Sequence, residues 1–230
     1  MGVKYSIIMP AYNEEKTIEK MISYIEEVFK REDYELIIVN DGSKDKTEEK
    51  IKRKAQKNKK IRIISYQKNR GKGYAIRKGI SIARGKYIGI QDADLEYSPK
   101  DLFVLFKISE VTGSVIYGSR FLGKIENMKW YMKAGNQFLS FIFSVFYGQR
   151  ITDVETCYKV SPSKIFKSLN LKSNNFDIEI EITSKILRRG FSIIEIPISY
   201  KARSKKEKKL NPIKDGFHAL YKILYYRFFS

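Results

Sequence analysis

Short apolar runs recur through the first half of this chain, and each one gives way to polar groups. Tyr5 to Pro10 leads into Ala11-Tyr12-Asn13-Glu14, and Glu35 to Asn40 leads into Asp41-Gly42-Ser43. Ile61 to Ser65 precedes Asn69-Arg70-Gly71-Lys72-Gly73, and Tyr87 to Ile90 leads into Gln91-Asp92-Ala93-Asp94-Leu95-Glu96. Runs of this length and content suit buried strands. The segments between them carry a helical period. Asn13 is placed to cap a helix from Glu14 to Phe29, in which Ile18, Met21, Ile22, Ile25, Val28 and Phe29 recur at helical spacing. A highly charged helix is expected over about residues 46–58, and another up to Ala83. Strand and helix alternating in this way predict an α/β architecture, a mostly parallel central sheet with helices on both faces. Pro10 is expected to end the ladder of the first strand, because it has no N–H to donate.

In such sheets ligands bind beyond the carboxyl ends of the strands. Successive loops therefore bring Tyr12, Asn13 and Glu14, then Asp41, then Arg70 to Gly73, then Asp92 and Asp94 to one rim. Residues at i and i+2 of extended chain point the same way, so Asp92 and Asp94 can converge on one ligand. Hard cations such as Mg²⁺ and Mn²⁺ take carboxylate oxygens. Alone, an Asp-x-Asp sequence is equally at home in a polar turn. Its place on a rim shared with three other polar loops favours the metal reading.

The second half continues with a helix from Pro99 to about Glu110, a strand over Ser114 to Gly118, and Ser119-Arg120 at its end. Met128 to Gly148 is dense in aromatics, with Trp130, Tyr131 and the run Phe138 to Tyr147. Two structures suit it. One is a buried core helix; the other is a helix lying in a membrane interface, with Lys124, Lys129 and Lys133 near headgroups. A loop and short strand over Asp153 to Val160, helices at Ser163–Leu169 and Asp177–Arg189, and a strand from Ile193 to Tyr200 are expected next. The basic run Lys201 to Lys209 reads as a solvated charged segment. Pro212 then opens an amphipathic helix with Ile213, Phe217, Leu220 and Leu224 on one apolar face.

With 230 residues, 43% of them hydrophobic, and no repeat or linker, the chain reads as one unit, 1–230. The single cysteine, Cys157, allows no internal disulfide and suits a reducing setting. No apolar run reaches the roughly 20 residues of a spanning helix, and no signal peptide is expected. Met1 to Ser6 matches a myristoylation pattern, but Ser6 falls inside the first strand. The formal charge of +19 favours anionic partners. Nucleic acid fits poorly, because the acids gather at the strand ends, where a phosphate backbone would be repelled. A metal-bound diphosphate flanked by Lys72, Arg120 and the tail lysines fits better. The lone His218 sits late in a helix, no Ser-His or Cys-His pairing suggests covalent hydrolysis, and Gly71-Lys72-Gly73 is not a Walker A loop.

Taken in order, Ile8-Met9-Pro10-Ala11-Tyr12-Asn13-Glu14-Glu15, Val39-Asn40-Asp41-Gly42-Ser43, Asn69-Arg70-Gly71-Lys72-Gly73, Asp92-Ala93-Asp94 and Gly118-Ser119-Arg120 resemble the inverting family 2 glycosyltransferases with a GT-A fold. Asp153-Val154-Glu155-Thr156-Cys157-Tyr158-Lys159 and the late Arg203 and Lys208-Lys209-Leu210 are similar to the polyprenyl (dolichyl) phosphate hexose synthase branch. The resemblance implies hexose transfer from a nucleotide sugar, GDP-mannose first and UDP-glucose second, to a polyprenyl phosphate, with Mn²⁺ or Mg²⁺ as cofactor. It implies that Pro10, Tyr12, Glu14 and Asp41 hold the nucleoside. Asp92 would lie near the ribose and metal, Asp94 would ligate the metal, and Glu96 would join its shell. Arg120, Arg203 and Lys209 would contact donor or acceptor phosphate, with Lys72 among the nucleotide-sugar contacts. Lys133 and Asn136 would meet the acceptor phosphate in the segment Lys124 to Asn136. Residues 1–120 then form the donor part, and 121–230 the acceptor and membrane-proximal part, working peripherally at the cytoplasmic face of a membrane. Lys206-Glu207-Lys208 lacks the glycine this branch carries before its basic pair. Rival readings are a glycosyltransferase with a soluble or polysaccharide acceptor, a metal-dependent nucleotidyltransferase, and a basic membrane- or nucleic-acid-binding module. A haloacid-type phosphatase would carry its aspartates after the first strand, not the fourth.

Overall fold

The computed structural model of the chain describes residues 2–203 and 212–229. The first half alternates β1 (Tyr5–Ala11), α1 (Ile18–Val28), β2 (Tyr34–Asp41), α2 (Thr47–Lys57), β3 (Ile61–Tyr66), α3 (Lys72–Ile82), β4 (Tyr87–Ile90), α4 (Pro99–Thr112) and β5 (Val115–Ser119). A 3-10 turn at Arg120–Leu122 leads to β6 (Ile125–Glu126), α5 (Trp130–Tyr147), β7 (Lys159–Pro162), α6 (Ser163–Ser168), α7 (Ile178–Arg188), β8 (Ile193–Pro197), β9 (Tyr200–Lys201) and α8 (Pro212–Phe228).

The main sheet runs β3-β2-β1-β4-β7-β5-β8, and β6 pairs with β9 separately. β7 is antiparallel to both its neighbours; the other pairs are parallel. The architecture is thus the mostly parallel α/β sheet expected, with strands from beyond residue 121 inserted beside β4 and β5. β1 and β2 are buried along nearly their whole length, as parallel strands covered on both faces must be. Against them Tyr5 packs 4.7 Å from Phe106, and Phe29 meets Phe103 edge-on at 5.3 Å.

Several local expectations are corrected. α1 begins at Ile18 after Thr17, not at Glu14. Asn13 instead adopts a positive φ of 52° and joins two loops, so it caps no helix. Pro10 does not end the ladder with β2, which continues to Ala11; it lies past the pairing with β4, which stops at Ile8. The segment Ile193 to Tyr200 is two strands in two sheets, because the chain leaves β8 to pair β9 with β6. In α8 the buried face is Ala219, Ile223 and Tyr226, while Phe217 is exposed.

Helix α5 is neither wholly buried nor wholly exposed: one face packs in the core and the other carries aromatics to solvent. Ser140 and Phe143 are buried, and Phe143 stacks on Tyr147 with ring centroids 4.1 Å apart. Phe138, Phe141 and Val145 are each more than half exposed. Phe143→Ala should therefore cost about 3–5 kcal/mol, whereas Phe141→Ala should stay within about 0.5 kcal/mol. Urea denaturation of the two variants checks this, and equal losses would place both rings in the core.

Candidate active site

Backbone hydrogen bonds bind the first three rim loops to one another. The Lys44 N–H donates to Asn13 Oδ1 at 2.8 Å, and the Asn13 N–H donates to Ser43 Oγ at 3.0 Å. Thr47 Oγ1 accepts from the Glu14 N–H at 2.8 Å. Asp41 is buried at the end of β2, and its two carboxylate oxygens accept from the N–H groups of Arg70 (2.9 Å) and Gly71 (2.7 Å). Gly71 has φ +100°, and a Cβ there would lie 2.2 Å from the Asn174 carbonyl oxygen, so only glycine fits this turn. Asp41 thereby shapes the entry to α3, beside half-buried Pro10 and Tyr12.

A chain of charges runs inward from this rim, from partly buried Asp92 and Lys72 to fully buried Glu179 and Lys159. Lys72, in the first turn of α3, sits 2.9 Å from Asp92 at the end of β4 and 3.1 Å from Glu179 in α7. The second Glu179 oxygen is 3.0 Å from Lys159 of β7. Glu179 and Lys159 are essentially inaccessible to water. Lys159 also donates to the carbonyls of Val154 and Thr156. Burial opposes the charge on Lys72, but the carboxylates of Asp92 and Glu179 hold its pKa well above the ordinary lysine value. Burial pushes the Cys157 thiol up, away from nucleophile chemistry.

The chain closes back over the rim at Arg203. Its guanidinium lies 2.6 Å from Asp94 and 2.9 Å from Glu14. Glu96 accepts from the Arg203 N–H at 2.7 Å with one oxygen and from the Tyr200 hydroxyl at 2.8 Å with the other. Burial lifts the Asp94 carboxyl to about 7, and the neighbouring Asp92 adds to the effect while Arg203 opposes it. Among the described residues no three Asp, Glu, His or Cys side chains converge as a metal site, and Glu96 holds the 200–203 segment rather than turning to Asp92 and Asp94. The paired aspartates still fit a divalent cation. Their donors are hard oxygens, and the crowding that lifts Asp94 is relieved by added positive charge.

Arg120 is buried and clamped to Asp153, Nε and Nη2 each donating at 2.7 Å, and its guanidinium stacks 5.3 Å from the Tyr200 ring. It therefore braces the segment that carries Arg203. Lys133 and Asn136 lie in the first turns of α5, where the Asn136 amide donates to its own helix at Met132. No contact of the described residues ties them to the aspartates. Lys209 lies outside the described residues. Glu179 and Lys159 escape a sequence reading as site residues, since nothing local marks a buried glutamate within Ile178-Glu179-Ile180-Glu181-Ile182. Asp153 and Lys159 do stand in a motif that the resemblance singled out.

The model of the family described as Glycosyl transferase family 2 matches residues 6–173. A dolichol-phosphate mannosyltransferase of Pyrococcus furiosus is 26% identical over 212 residues, covering 90% of this chain and 59% of that protein. This chain thus spans less than two thirds of that relative. A human dolichyl-phosphate beta-glucosyltransferase is 46% identical over 98 residues, 39% of this chain and 30% of that protein. Among solved structures, glucosyl-3-phosphoglycerate synthase from Mycobacterium tuberculosis, in complex with Mn²⁺, UDP and phosphoglyceric acid, superposes with a TM-score of 0.74 at 16% identity. The match covers 99% of this chain and 80% of that one, and it shows that the fold is shared.

Two outcomes follow from the geometry. Arg120→Ala leaves Asp153 buried without its cation and should cost about 3–5 kcal/mol of stability, read by urea denaturation. A variant as stable as the wild type would show that the pair does not brace the fold. Mn²⁺ at about 100 times its dissociation constant should stabilise the protein by about 2.7 kcal/mol, a rise in Tm of roughly 5–10 °C. Asp94 is protonated below about 7 and a ligand must lose its proton, so the rise should be full near pH 8 and shrink toward pH 5. A shift independent of pH, or one that survives in Asp94→Asn, would remove Asp94 from the ligand set.

Proposed function

The chain belongs to glycosyl transferase family 2, and from that premise we propose that it moves a hexose from a nucleotide sugar to a polyprenyl (dolichyl) phosphate with inversion. The observation that carries this reading is the rim itself. Asp92 and Asp94 stand at the end of β4, matched by Lys72 and Arg203 from distant parts of the chain. That is the charge pattern a nucleoside diphosphate with a cation requires. The relatives named for dolichol and dolichyl phosphate support the acceptor class, and the neighbour bound to Mn²⁺ and UDP supports the donor class. GDP-mannose is the donor of first choice and UDP-glucose the second.

Each residue has a part in this reading. Pro10, Tyr12, Glu14 and the loop shaped by Asp41 receive the nucleoside. Asp92 and Asp94 would hold Mn²⁺ or Mg²⁺, which when bound neutralises charge on the departing diphosphate. Arg203 exchanges its carboxylate partners for phosphate oxygens, which its planar fork matches. Lys72, kept protonated between Asp92 and Glu179, presents a fixed positive charge to the same group. A phosphate acceptor is already an anion, so attack on the anomeric carbon needs no general base. Lys133 and Asn136, at the start of α5, are the groups assigned to the acceptor side; Arg120, committed to Asp153, supports that side from behind Tyr200; Lys209 is assigned to the donor side.

A long-chain lipid acceptor stays in its bilayer, since each buried CH₂ holds it by about 0.8 kcal/mol. Among the described residues no helix is long and apolar enough to cross a membrane. In this reading the exposed rings of α5 give the enzyme an apolar contact with the membrane surface, which it meets peripherally from the cytoplasmic side. Incubation with a panel of nucleotide sugars, Mn²⁺ and a short polyprenyl phosphate should give a lipid-linked sugar. Sugar passed only to a soluble acceptor such as phosphoglyceric acid would overturn the lipid assignment. Changing Phe138, Phe141 and Val145 together to Ser should weaken vesicle binding and leave Tm nearly unchanged, because none of the three is in the core. Vesicle binding at wild-type strength would show that α5 does not meet the membrane.

A further inference from the structure

Helix α8 lies between α5 and α7 and presents a stripe of rings to solvent. Phe217, Tyr221, Tyr225 and Phe229 recur every four residues, and Phe217, Tyr221 and Phe229 are 72%, 60% and 77% exposed. On one side α8 meets α5, where the Tyr147 hydroxyl donates to the Ile223 carbonyl and Phe146 lies edge-on to Phe228. On the other side it meets α7, and there a cavity of about 780 Å³ opens. Tyr221, Tyr225 and Phe229 form its apolar wall. Its opposite wall carries Lys172, Lys185, Arg188 and Arg189, with Lys222 on α8 itself.

Two carboxylates answer these five cations. Glu181 pairs with Lys185 at 2.6 Å, and Asp177 pairs with Lys222 at 3.1 Å. Lys172, Arg188 and Arg189 are exposed, and each arginine commits Nη1 to a neighbour, Arg188 to the Tyr226 carbonyl and Arg189 to Ser168. The cavity thus has an excess of positive charge on one side and aromatic surface on the other. That combination fits a phosphate joined to a hydrocarbon. A free phosphate would make no use of the rings.

We propose that this cavity is a binding site for the headgroup phosphate of an anionic membrane phospholipid, with its acyl chains running along the exposed rings of α8. The proposal rests on the reading that the protein works at a membrane surface, and it adds a specific lipid contact outside the reaction site. The acceptor lipid is not the occupant. Arg188 stands about 14 Å along α7 from Glu179, at about 1.5 Å per residue, so a phosphate held at Arg188 and Arg189 lies at the end of α7 away from the Lys72–Glu179 pair. The site would hold the enzyme by α8 while α5 dips beside it, setting the orientation of the rim to the bilayer.

The test compares the whole protein with two triple variants that remove the same charge. One is Lys172→Gln, Arg188→Gln and Arg189→Gln in the cavity; the other is Lys52→Gln, Lys57→Gln and Lys59→Gln on and beside α2. Binding is measured by flotation with phosphatidylcholine vesicles, with and without phosphatidylglycerol. Each cation near an anionic surface contributes about fivefold in binding, so the cavity variant should bind phosphatidylglycerol vesicles about a hundredfold more weakly. The α2 variant should bind nearly as the wild type. Both should keep the wild-type Tm and affinity for UDP with Mn²⁺. A soluble short-chain phosphatidylglycerol should protect Lys172 from acetylation, and inorganic phosphate at the same concentration should not. Equal weakening of both variants would show delocalised attraction and overturn the site. Protection by inorganic phosphate as strong as by the lipid would overturn the lipid assignment. A wild-type protein that floats with neither vesicle would overturn the membrane reading and this site with it.

Discussion

The sequence of charges Asp92–Lys72–Glu179–Lys159, partly buried at its first two members and fully buried at its last two, is the constraint on which the rest of the site depends. It joins the first turn of α3 and the end of β4, neighbours in the chain, to β7 and α7, which come about 70 residues or more later. Ions taken out of water are tolerated only where their partners compensate them, and removal of one leaves the next uncompensated. The alternation of signs is thus an all-or-none arrangement. It fixes Lys72 under the rim and, through the Lys159 contacts to Val154 and Thr156, shapes the loop that carries Asp153.

From that base the site closes in layers. Asp153 holds Arg120, Arg120 stacks on Tyr200, Tyr200 reaches Glu96, and Glu96 takes the backbone of Arg203. Arg203 then returns to the first and fourth loops through Glu14 and Asp94. The contacts run in a series, so the position of a residue late in the chain is determined by groups in the sheet. The rim is consequently built with its cations already aimed at carboxylates, an electrostatic preorganisation that a glycosyltransferase of this family can apply to a diphosphate.

Helices α5 and α8 are organised by a different principle. α5 and α8 each bury one face and expose another rich in aromatics. On α5 the division falls between Phe143 and Phe141; on α8 it falls between Ile223 and Tyr221. Exposed rings beside lysine and arginine make a surface suited to the boundary between water and lipid, where apolar bodies and charged groups are both satisfied. Five of the chain's lysines and arginines line the cleft between α7 and α8.

The amino-acid sequence by itself determined the alternation of strands and helices, the mostly parallel α/β sheet, and the rim on which Glu14, Asp41, Lys72, Asp92 and Asp94 meet. These are local properties: apolar period sets the elements, and parallel topology places every following loop at the same edge. The tertiary structure alone decided what each charge faces. Asn13 looked like a helix cap yet ties two loops, Glu96 looked like a ligand yet holds the returning chain, and Glu179 gave no sign of its place between two lysines. It also decided which side of α5 and α8 is buried, because both faces of each helix carry apolar residues and only the neighbouring elements choose between them. Pairing across long stretches of chain has no signature in local pattern, since its energy depends on burial and on a partner that the fold alone brings near.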